Sequence, residues 1–290
     1  MAGPVHRIVL ADNLEVLRDL ASASVDLIYL DPPFNTGKEQ RRTTLRTQRA
    51  AEGEAGDRTG FGGHRYTTTE LGSRAFEDAF DDFLGFLEPR LVECHRVLAA
   101  DGSLFLHLDP REAHYAKVLL DGIFGRASFQ NEIVWAYDYG GRSKRRWPAK
   151  HDSILWYAKD PERYTFDYEA IDRIPYLAPG LVTPEKVERG KVPTDVWWQT
   201  VVPTSGGERT GYPTQKPLAI LERIVRVHSR PGDLVADFFA GSGTTGEAAA
   251  RLGRRFLLVD SNPDALEVMA ERLAEWEPEV VRDAHSRRAS

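Results

Sequence analysis

A glycine-rich turn late in the chain has the spacing of a nucleotide-binding loop. Gly241, Gly243 and Gly246 fit the pattern G-x-G-x-x-G, between a run that predicts a strand and a segment that predicts a helix. Such a turn lets the backbone approach a ligand closely, and Asp260, 19 residues after Gly241, is placed to hold two ribose hydroxyls. Alone, the motif predicts a nucleoside-containing cofactor, and NAD, FAD and S-adenosylmethionine all fit it.

A second candidate site joins a carboxylate to two prolines and an aromatic ring, Asp31-Pro32-Pro33-Phe34. The prolines fix φ and remove two backbone donors, so the tip offers a carboxylate, a free carbonyl and an aromatic face. Two acceptors suit the two hydrogens of an amino group on a planar base, and the base can stack on Phe34. The tip follows the strand candidate Val25–Leu30, at the edge where open α/β sheets bind ligands.

The elements that position these motifs alternate between strand and helix, which predicts an α/β fold with a mostly parallel sheet. About two strands and two helices fit between Leu234 and residue 290. The N-terminal strands must therefore complete the sheet, and the chain is predicted to be circularly permuted relative to an ordinary nucleotide-binding domain. We also predict a helix over residues 76–100 and a frayed polar tail over residues 277–290.

Two segments lack a long periodic pattern. Residues 36–75 are rich in Arg, Thr, Gly and Gln and predict a flexible loop. Residues 161–210 are rich in Pro, Gly and charge and predict a small inserted module. Residues 1–160 and 211–290 are predicted to form the catalytic domain, with 36–75 as a flexible loop within it.

Charge and cysteine content exclude several classes of protein. The chain has 38 Lys and Arg against 44 Asp and Glu, which gives a net charge of −6. This charge excludes a protein that coats nucleic acid with a uniformly basic surface, but it is compatible with a local basic face. The single Cys94 excludes a disulfide framework, and we predict no metal site. Because no apolar run approaches the ~20 residues of a membrane span and no signal-peptide core is found, we expect no membrane partner and a cytoplasmic location.

The two motifs together resemble a known family. The chain contains DPPFNTGK over residues 31–38 and DFFAGSGTT over residues 237–245. This pair resembles the amino-group DNA methyltransferases that use S-adenosylmethionine, and the order of the two elements resembles their permuted beta class. Further matches are DNLEVL over 12–17, NEIVW over 131–135 and TQKP over 214–217. The resemblance covers most of the chain outside 36–75 and 161–210.

The resemblance implies a Rossmann-like methyltransferase fold and a role for each motif residue. Asp31, Pro32, Pro33 and Phe34 would be catalytic, beside the target amino group. Five segments would bind S-adenosylmethionine. Their residues are Asp12, Asp31, Thr214, Gln215, Lys216, Asp237, Phe238, Phe239, Ala240, Gly241, Ser242, Gly243, Thr244, Thr245, Asp260, Ser261 and Asn262.

The implied reaction is methyl transfer to the N6 amino group of an adenine flipped out of duplex DNA. Asp rather than Ser at the first motif position favours adenine, with cytosine N4 as the alternative. An NAD-type oxidoreductase that uses the glycine turn is the alternative from another class. A methyltransferase-like protein that only binds DNA or a partner, and an enzyme that acts on RNA or free nucleobases, also stay open.

A basic run predicts where DNA would lie. Residues 142–150 contain no acid, and their concentration of charge favours a phosphate-binding face. Residues 161–210 are the candidate target-recognition insert, and a homodimer and a cognate restriction endonuclease are possible further partners by the same likeness. The DNA-binding candidates are Arg142, Lys144, Arg145, Arg146 and Lys150. Arginines of the 36–75 segment expected to order on DNA are Arg41, Arg42, Arg46, Arg49, Arg58 and Arg65.

Overall fold

Strands from both ends of the chain meet in one large sheet with helices on both faces. The structure, a computed structural model, describes residues 6–33, the strands within 38–78, and residues 82–140, 142–203 and 207–282. The strands are β1 (His6–Leu10), β2 (Val25–Leu30), β3 (Lys38–Arg49), β4 (Arg58–Thr59), β5 (Arg65–Asp78), β6 (Leu98–Leu108), β7 (Phe129–Ala136), β8 (His151–Ala158), β9 (Val196–Trp198), β10 (Leu234–Asp237), β11 (Arg255–Asp260) and β12 (Glu279–Val281). The helices are α1 (Asn13–Asp19), α2 (Phe83–Val97), α3 (Ala113–Phe124), α4 (Pro184–Arg189), α5 (Leu218–His228), α6 (Thr244–Arg251) and α7 (Pro263–Arg272).

The main sheet has nine strands in the order β12-β1-β11-β10-β2-β6-β8-β7-β9. The first six are parallel, β8 is antiparallel to both of its neighbours, and β9 is parallel to β7. The register pairs Tyr29 with Asp237 and Leu10 with Asp260. The carboxyl ends of β2, β10 and β11 therefore lie at one edge, which confirms the predicted α/β fold.

Alternating side chains divide the core into two layers. Ile28 and Leu30 of β2 pack into the layer that contains buried residues of α1, α2 and α3. Leu27 and Tyr29 face the opposite layer, which contains buried residues of α5, α6 and α7. Strands that are buried on both faces read as continuous apolar runs, which is typical of a parallel sheet covered by helices. Among the described residues, no helix is both long and apolar enough to cross a lipid bilayer.

The segment predicted as an irregular loop contains regular structure. β3 pairs with β5 in antiparallel fashion, and β4 pairs with β5, so the prediction of a structureless segment over 36–75 was wrong for these strands. Threonine is frequent in both long strands, and β-branched residues such as threonine favour extended backbone. The sequence prediction relied on apolar residues, which are few here, and therefore missed these strands. The mobility of this segment stays a prediction.

Two element boundaries also differ from expectation. The predicted helix over 76–100 begins only at Phe83, because the Asp82 side chain accepts a hydrogen bond from Gly85 N at 2.8 Å and caps it. The predicted frayed tail instead contains β12, whose Val280 pairs with Ile8 of β1. The β-branched pair Val280 and Val281 suits this added edge strand.

The insert over 161–210 is largely irregular, as predicted, but it is tied to the main sheet. Its strand β9 pairs with β7, with Trp197 opposite Trp135. Trp135 Nε1 also donates a hydrogen bond to Gln199 O at 2.7 Å. The insert therefore extends the sheet edge, and its role in target recognition stays a prediction.

Candidate active site

A cavity of about 330 Å³ opens at the edge where β2, β10 and β11 end. Residues 31–33 line it from the end of β2, and Gly241 and Ser242 line it from the glycine turn. The two motifs, 210 residues apart between Asp31 and Gly241, thus share one cavity, as the sequence predicted. Phe34 lies outside the described residues.

Every residue predicted for the cofactor lines this cavity except Gly243. A Cβ at Gly243 would lie 2.9 Å from Met269 Cγ, and its φ is +76°, so the glycine serves the turn and its packing on α7. The predicted residues that do line the cavity are Asp12, Asp31, Thr214, Gln215, Lys216, Asp237, Phe238, Phe239, Ala240, Gly241, Ser242, Thr244, Thr245, Asp260, Ser261 and Asn262.

Asp260 at the end of β11 is held by backbone donors. Its Oδ2 accepts from Gly241 N and its Oδ1 accepts from Asn262 N, both at 2.8 Å. Burial raises the pKa of this carboxyl, while these backbone hydrogen bonds oppose the rise. Asn262 in turn caps α7 by accepting from Asp264 N at 2.9 Å. The carboxylate therefore fixes the glycine turn and the next helix while facing the cavity.

Asp237 at the end of β10 is buried within its own turn. Its Oδ2 accepts from Thr245 Oγ1 at 2.6 Å, and its Oδ1 accepts from Phe239 N at 2.9 Å. Burial raises the pKa of Asp237 to about 7, and the charges of Asp31 and Asp260 act in the same direction. The turn thus contains a buried carboxyl group, and ionising it costs free energy.

Asp31 has a different environment. Lys216 Nζ donates a hydrogen bond to Asp31 Oδ2, and the lysine side chain is itself buried. The other oxygen, Oδ1, is buried and has no hydrogen-bond partner within the described part of the chain. A buried acceptor without a partner is costly, so Oδ1 suits a donor that enters the cavity.

The strap, residues 207–217, covers one side of the cavity. Gln215 Oε1 accepts hydrogen bonds from both Thr210 N and Thr210 Oγ1 at 2.9 Å, and Gln215 Nε2 donates to Glu208 O at 2.8 Å. Thr244 Oγ1 donates to Lys216 O at 3.2 Å, which joins the strap to the glycine turn. Gln215 therefore shapes the strap that carries Lys216.

Sequence reasoning missed several lining residues. Arg90 of α2 donates from Nε to Asn13 Oδ1 at 2.6 Å and from a terminal nitrogen to Asp12 Oδ2 at 3.1 Å. Asn13 Nδ2 donates to Phe238 O at 2.6 Å, so this cluster ties α1 to the glycine turn. An arginine on the apolar face of a predicted helix was the available signal. The unpredicted lining residues are Asn13, Tyr29, Phe86, Arg90, Tyr212, Pro213 and Leu221.

The basic run lies outside the cavity, in the loop between β7 and β8. Because β7 runs in the same direction as β6, this loop leaves the sheet at the same edge as the cavity. Lys150 pairs with Asp138 at 2.8 Å, and the side chain of Trp147 is 94% exposed. The described part of this loop therefore presents charge and two aromatic rings, those of Tyr139 and Trp147, to solvent.

Comparison with known proteins decides the family. A family model described as DNA methylase matches residues 25–272. The chain belongs to this family. DNA adenine methyltransferase YhdJ of Escherichia coli (strain K12) is 31% identical over 274 residues, which cover 92% of this chain and 82% of that protein. Type II methyltransferase M.HpaI of Haemophilus parainfluenzae is 30% identical over 268 residues, which cover 92% and 74%.

A solved structure supports the fold. TTHA0409 of Thermus thermophilus, complexed with S-adenosyl-L-methionine, matches with a TM-score of 0.58 at 24% identity, and the match covers 96% of this chain and 99% of that one. Family membership makes this methylase an S-adenosylmethionine-dependent DNA methyltransferase that acts on adenine N6 or cytosine N4. The family match decides against the oxidoreductase.

The cavity fits this cofactor chemically. Asp260 is an acceptor for ribose hydroxyls, and the carboxylates of Asp31 and Asp237 suit the cofactor's positive charges. A Cβ at Gly241 would lie 3.2 Å from Tyr212 Cε1, so the turn approaches the strap too closely for a side chain.

Proposed function

We propose that this enzyme methylates the N6 amino group of an adenine that has been rotated out of duplex DNA. The observation that carries the proposal is the shared cavity, in which Asp31 Oδ1 is buried without a described partner beside the glycine turn. An amino group is a donor with two hydrogens, and it supplies what this acceptor lacks.

The five predicted segments hold the cofactor in this proposal. Asp260 binds the ribose hydroxyls, with Ser261 and Asn262 beside the adenine ring of the cofactor. Residues 237–245 surround the methionine part, with Gly243 supporting the turn from behind. Residues 214–216 close over the cofactor from the strap, and Asp12 borders the adenine.

Asp31 and the carbonyl of Pro32 accept the two amino hydrogens of the target base. This favours the nitrogen geometry in which the lone pair is no longer delocalised into the ring. When bound, S-adenosylmethionine supplies an electrophilic methyl group. Fixed acceptors are typically worth about 10²–10³-fold in rate, or roughly 3–4 kcal/mol. Pro33 stiffens the tip, and Phe34 stacks on the base.

The choice of adenine over cytosine rests on Asp31 at the first motif position and on the adenine methyltransferase among the relatives. Cytosine N4 is the second candidate, because its amino group offers the same two hydrogens to the same acceptors. Both bases present the same donor chemistry to Asp31.

We place duplex DNA against the loop between β7 and β8, where residues 142–150 supply positive charge at the cavity edge. Rotating a base out costs a few kcal/mol, which contacts with the protein must offset. Replacing Lys144 and Arg145 with alanine should lower the slope of log affinity against log salt by about 2 for two lost phosphate contacts. Arg126→Ala, at the opposite end of β7 and 88% exposed in its side chain, is the matched control. An unchanged slope in the double variant would contradict this placement.

The remaining expectations extend this proposal. The insert over 161–210 reads the target sequence, and the arginines predicted to order on DNA have side chains outside the described residues. We also propose that the enzyme forms a homodimer, has a cognate restriction endonuclease and is located in the cytoplasm. A circular permutation of the chain would explain why strands from its two ends alternate in the sheet.

Labelled methyl transfer tests the proposal. The enzyme is incubated with S-adenosylmethionine that carries a tritiated methyl group and with DNA of varied sequence, and the DNA is then digested to nucleosides. We expect the label in the N6-methylated adenine nucleoside from duplex DNA. Label in N4-methylated cytosine nucleoside would establish the second candidate, and label in RNA alone or no transfer would refute the proposal.

A further inference from the structure

A chain of buried hydrogen bonds leads away from the cavity. The Tyr29 hydroxyl lies 2.6 Å from His107 Nδ1, and His107 Nε2 lies 3.2 Å from Asp152 Oδ2. Asp152 Oδ1 accepts a hydrogen bond from the Tyr137 hydroxyl at 3.1 Å. Tyr29, His107 and Asp152 are only 2%, 0% and 6% exposed. Their polar groups are therefore shielded from water and form hydrogen bonds with one another. The cofactor and base contacts proposed above use none of them.

Asp152 sets the direction of these hydrogen bonds. Burial raises the pKa of Asp152, but the hydrogen bond from His107, together with nearby charge, outweighs burial and lowers the pKa below its ordinary value. Asp152 is therefore an ionised acceptor near neutral pH. His107 must then donate from Nε2. A neutral imidazole with its proton on Nε2 has a lone pair on Nδ1, and the Tyr29 hydroxyl donates to it.

Tyr29 therefore faces the cavity as an acceptor. It lines the cavity and lies two residues before Asp31 on β2, so both side chains project from the same face of the strand. Burial, with the charges of Asp31 and Asp237, raises the pKa of Tyr29 well above its ordinary value, so the hydroxyl keeps its proton. With that proton directed at His107, the Tyr29 oxygen offers its lone pairs to a donor in the cavity.

We propose that Tyr29, His107 and Asp152 form a proton-accepting chain for the reaction in this cavity. The proposal rests on the proposed function, because methyl transfer to an amino nitrogen leaves a cationic product that must release one proton. An N–H bond of that product breaks and the proton bonds to the Tyr29 oxygen. The Tyr29 O–H bond breaks in turn, and its proton bonds to His107 Nδ1. The positive charge ends on His107, beside the Asp152 carboxylate.

The surroundings of His107 suit this role. Tyr29 faces it from β2, Asp152 faces it from β8, and the ring of Trp135 on β7 packs edge-on with centroids 5.5 Å apart. Tyr137 donates a hydrogen bond to Asp152, and the charge of Lys216 also acts on that carboxylate. The nearest charge to the imidazole is thus a carboxylate, which stabilises an imidazolium as in other histidine–aspartate pairs.

Single-turnover methyl transfer to DNA, measured against pH, tests the chain. The chain can take a proton only while its terminal acceptor is free, so we expect the wild-type rate constant to fall in acid. Tyr29→Phe and His107→Asn should slow transfer about 10-fold or more at neutral pH and flatten the acid limb, with cofactor affinity unchanged. Asparagine can accept the Tyr29 hydrogen bond but cannot take its proton, so wild-type rate and pH profile in His107→Asn would overturn the proposal.

Tyr157→Phe is the matched control, because it removes a buried hydroxyl that bonds to Asp121 at 2.7 Å, on the other layer of the core. We expect its rate and pH profile to match the wild type. If His107→Asn fails to fold, Tyr29→Phe alone decides, and a wild-type profile in that variant would overturn the chain.

A spectroscopic measurement separates this inference from the proposed function. In ¹⁵N-histidine-labelled protein, we expect His107 to carry its proton on Nε2 and to have an unprotonated Nδ1 near neutral pH. A proton on Nδ1 would overturn the chain even if DNA is methylated. If DNA is not methylated at all, the proposed function fails while the predicted tautomer is still tested.

Discussion

The glycine turn and the proline tip bring three carboxylates to one cavity and treat them differently. Asp237 accepts hydrogen bonds from backbone and hydroxyl donors of the glycine turn, and Asp260 at the end of β11 accepts from Gly241 N of that turn and from Asn262 N. Asp31 precedes two prolines that have no backbone N–H to donate. Lys216 donates to its Oδ2, and its Oδ1 has no partner among the residues that the structure describes. The turn is therefore a prearranged binding surface, whereas the tip keeps a free acceptor for a group that enters the cavity later.

The largest expected effect lies at the proline tip. Asp31→Ala should reduce methyl transfer about 100-fold or more, because a fixed acceptor for the amino hydrogens is lost. Cofactor affinity should fall far less than the rate of transfer, because the glycine turn, which supplies most of the cofactor contacts, remains intact. Labelled transfer and calorimetry with S-adenosylmethionine measure the two quantities. Substantial activity in this variant, or an equal loss of cofactor affinity, would erase the distinction between the two regions.

The reciprocal change lies at the turn. Asp260→Ala should weaken cofactor binding by about 10- to 100-fold, because charged hydrogen bonds contribute about 1.5–3 kcal/mol. The transfer rate at saturating cofactor should fall much less than in Asp31→Ala. Asp260→Asn keeps one acceptor oxygen, so its cofactor affinity should lie between those of the wild type and Asp260→Ala. A normal affinity in Asp260→Ala would place the ribose elsewhere.

The packing of the turn gives a third test. Gly243→Ala should lower the free energy of unfolding by about 2–4 kcal/mol, because it combines a positive φ with a Cβ that would lie 2.9 Å from Met269 Cγ. Gly253→Ala has nearly the same φ, +74°, but no atom within 4 Å of the added Cβ. It should lower that free energy by only about 1–2 kcal/mol. Chemical denaturation of both variants measures the difference, and equal losses would show that packing on α7 contributes nothing.

The smallest effect concerns the raised pKa of Asp237. The folded protein keeps this proton up to about pH 7, whereas the unfolded chain loses it near its ordinary pKa of 3.8. The stability from this group is therefore greatest in acid and falls as pH rises through that window, by about 1.4 kcal/mol per pH unit at most. Asp237→Asn should show a flatter dependence of unfolding free energy on pH. A parallel dependence in both proteins would contradict the raised pKa.

Much of this fold was predictable because a buried parallel sheet leaves a direct mark on the sequence. The runs of β10 and β11 end in aspartate, Asp31 directly follows β2, and these strand ends at one edge define the cavity. The prediction of a loop over 36–75 was wrong for the opposite reason, because the strands of the separate three-stranded sheet contain few apolar residues and so leave no such mark. β12 was missed because three residues give too short a pattern.

The site was predictable where chemistry is carried by local motifs and not where it depends on distant partners. The proline tip and the glycine turn can be recognised in the sequence from their proline and glycine residues. The pairing of Arg90 with Asn13 spans 77 residues, and that of Tyr29 with His107 spans 78 residues. Each of these side chains lies in a run that sequence alone assigns to ordinary packing, so only the folded register identifies them.

A crystal structure of the enzyme with S-adenosylhomocysteine would show whether the methyl donor and the target base meet at Asp31. We expect the ribose hydroxyls on the Asp260 carboxylate and the sulfur atom facing Asp31 across the cavity. A sulfur atom turned away from Asp31, toward another face of the sheet, would leave the amino group and the methyl donor with no common meeting point and would contradict the account.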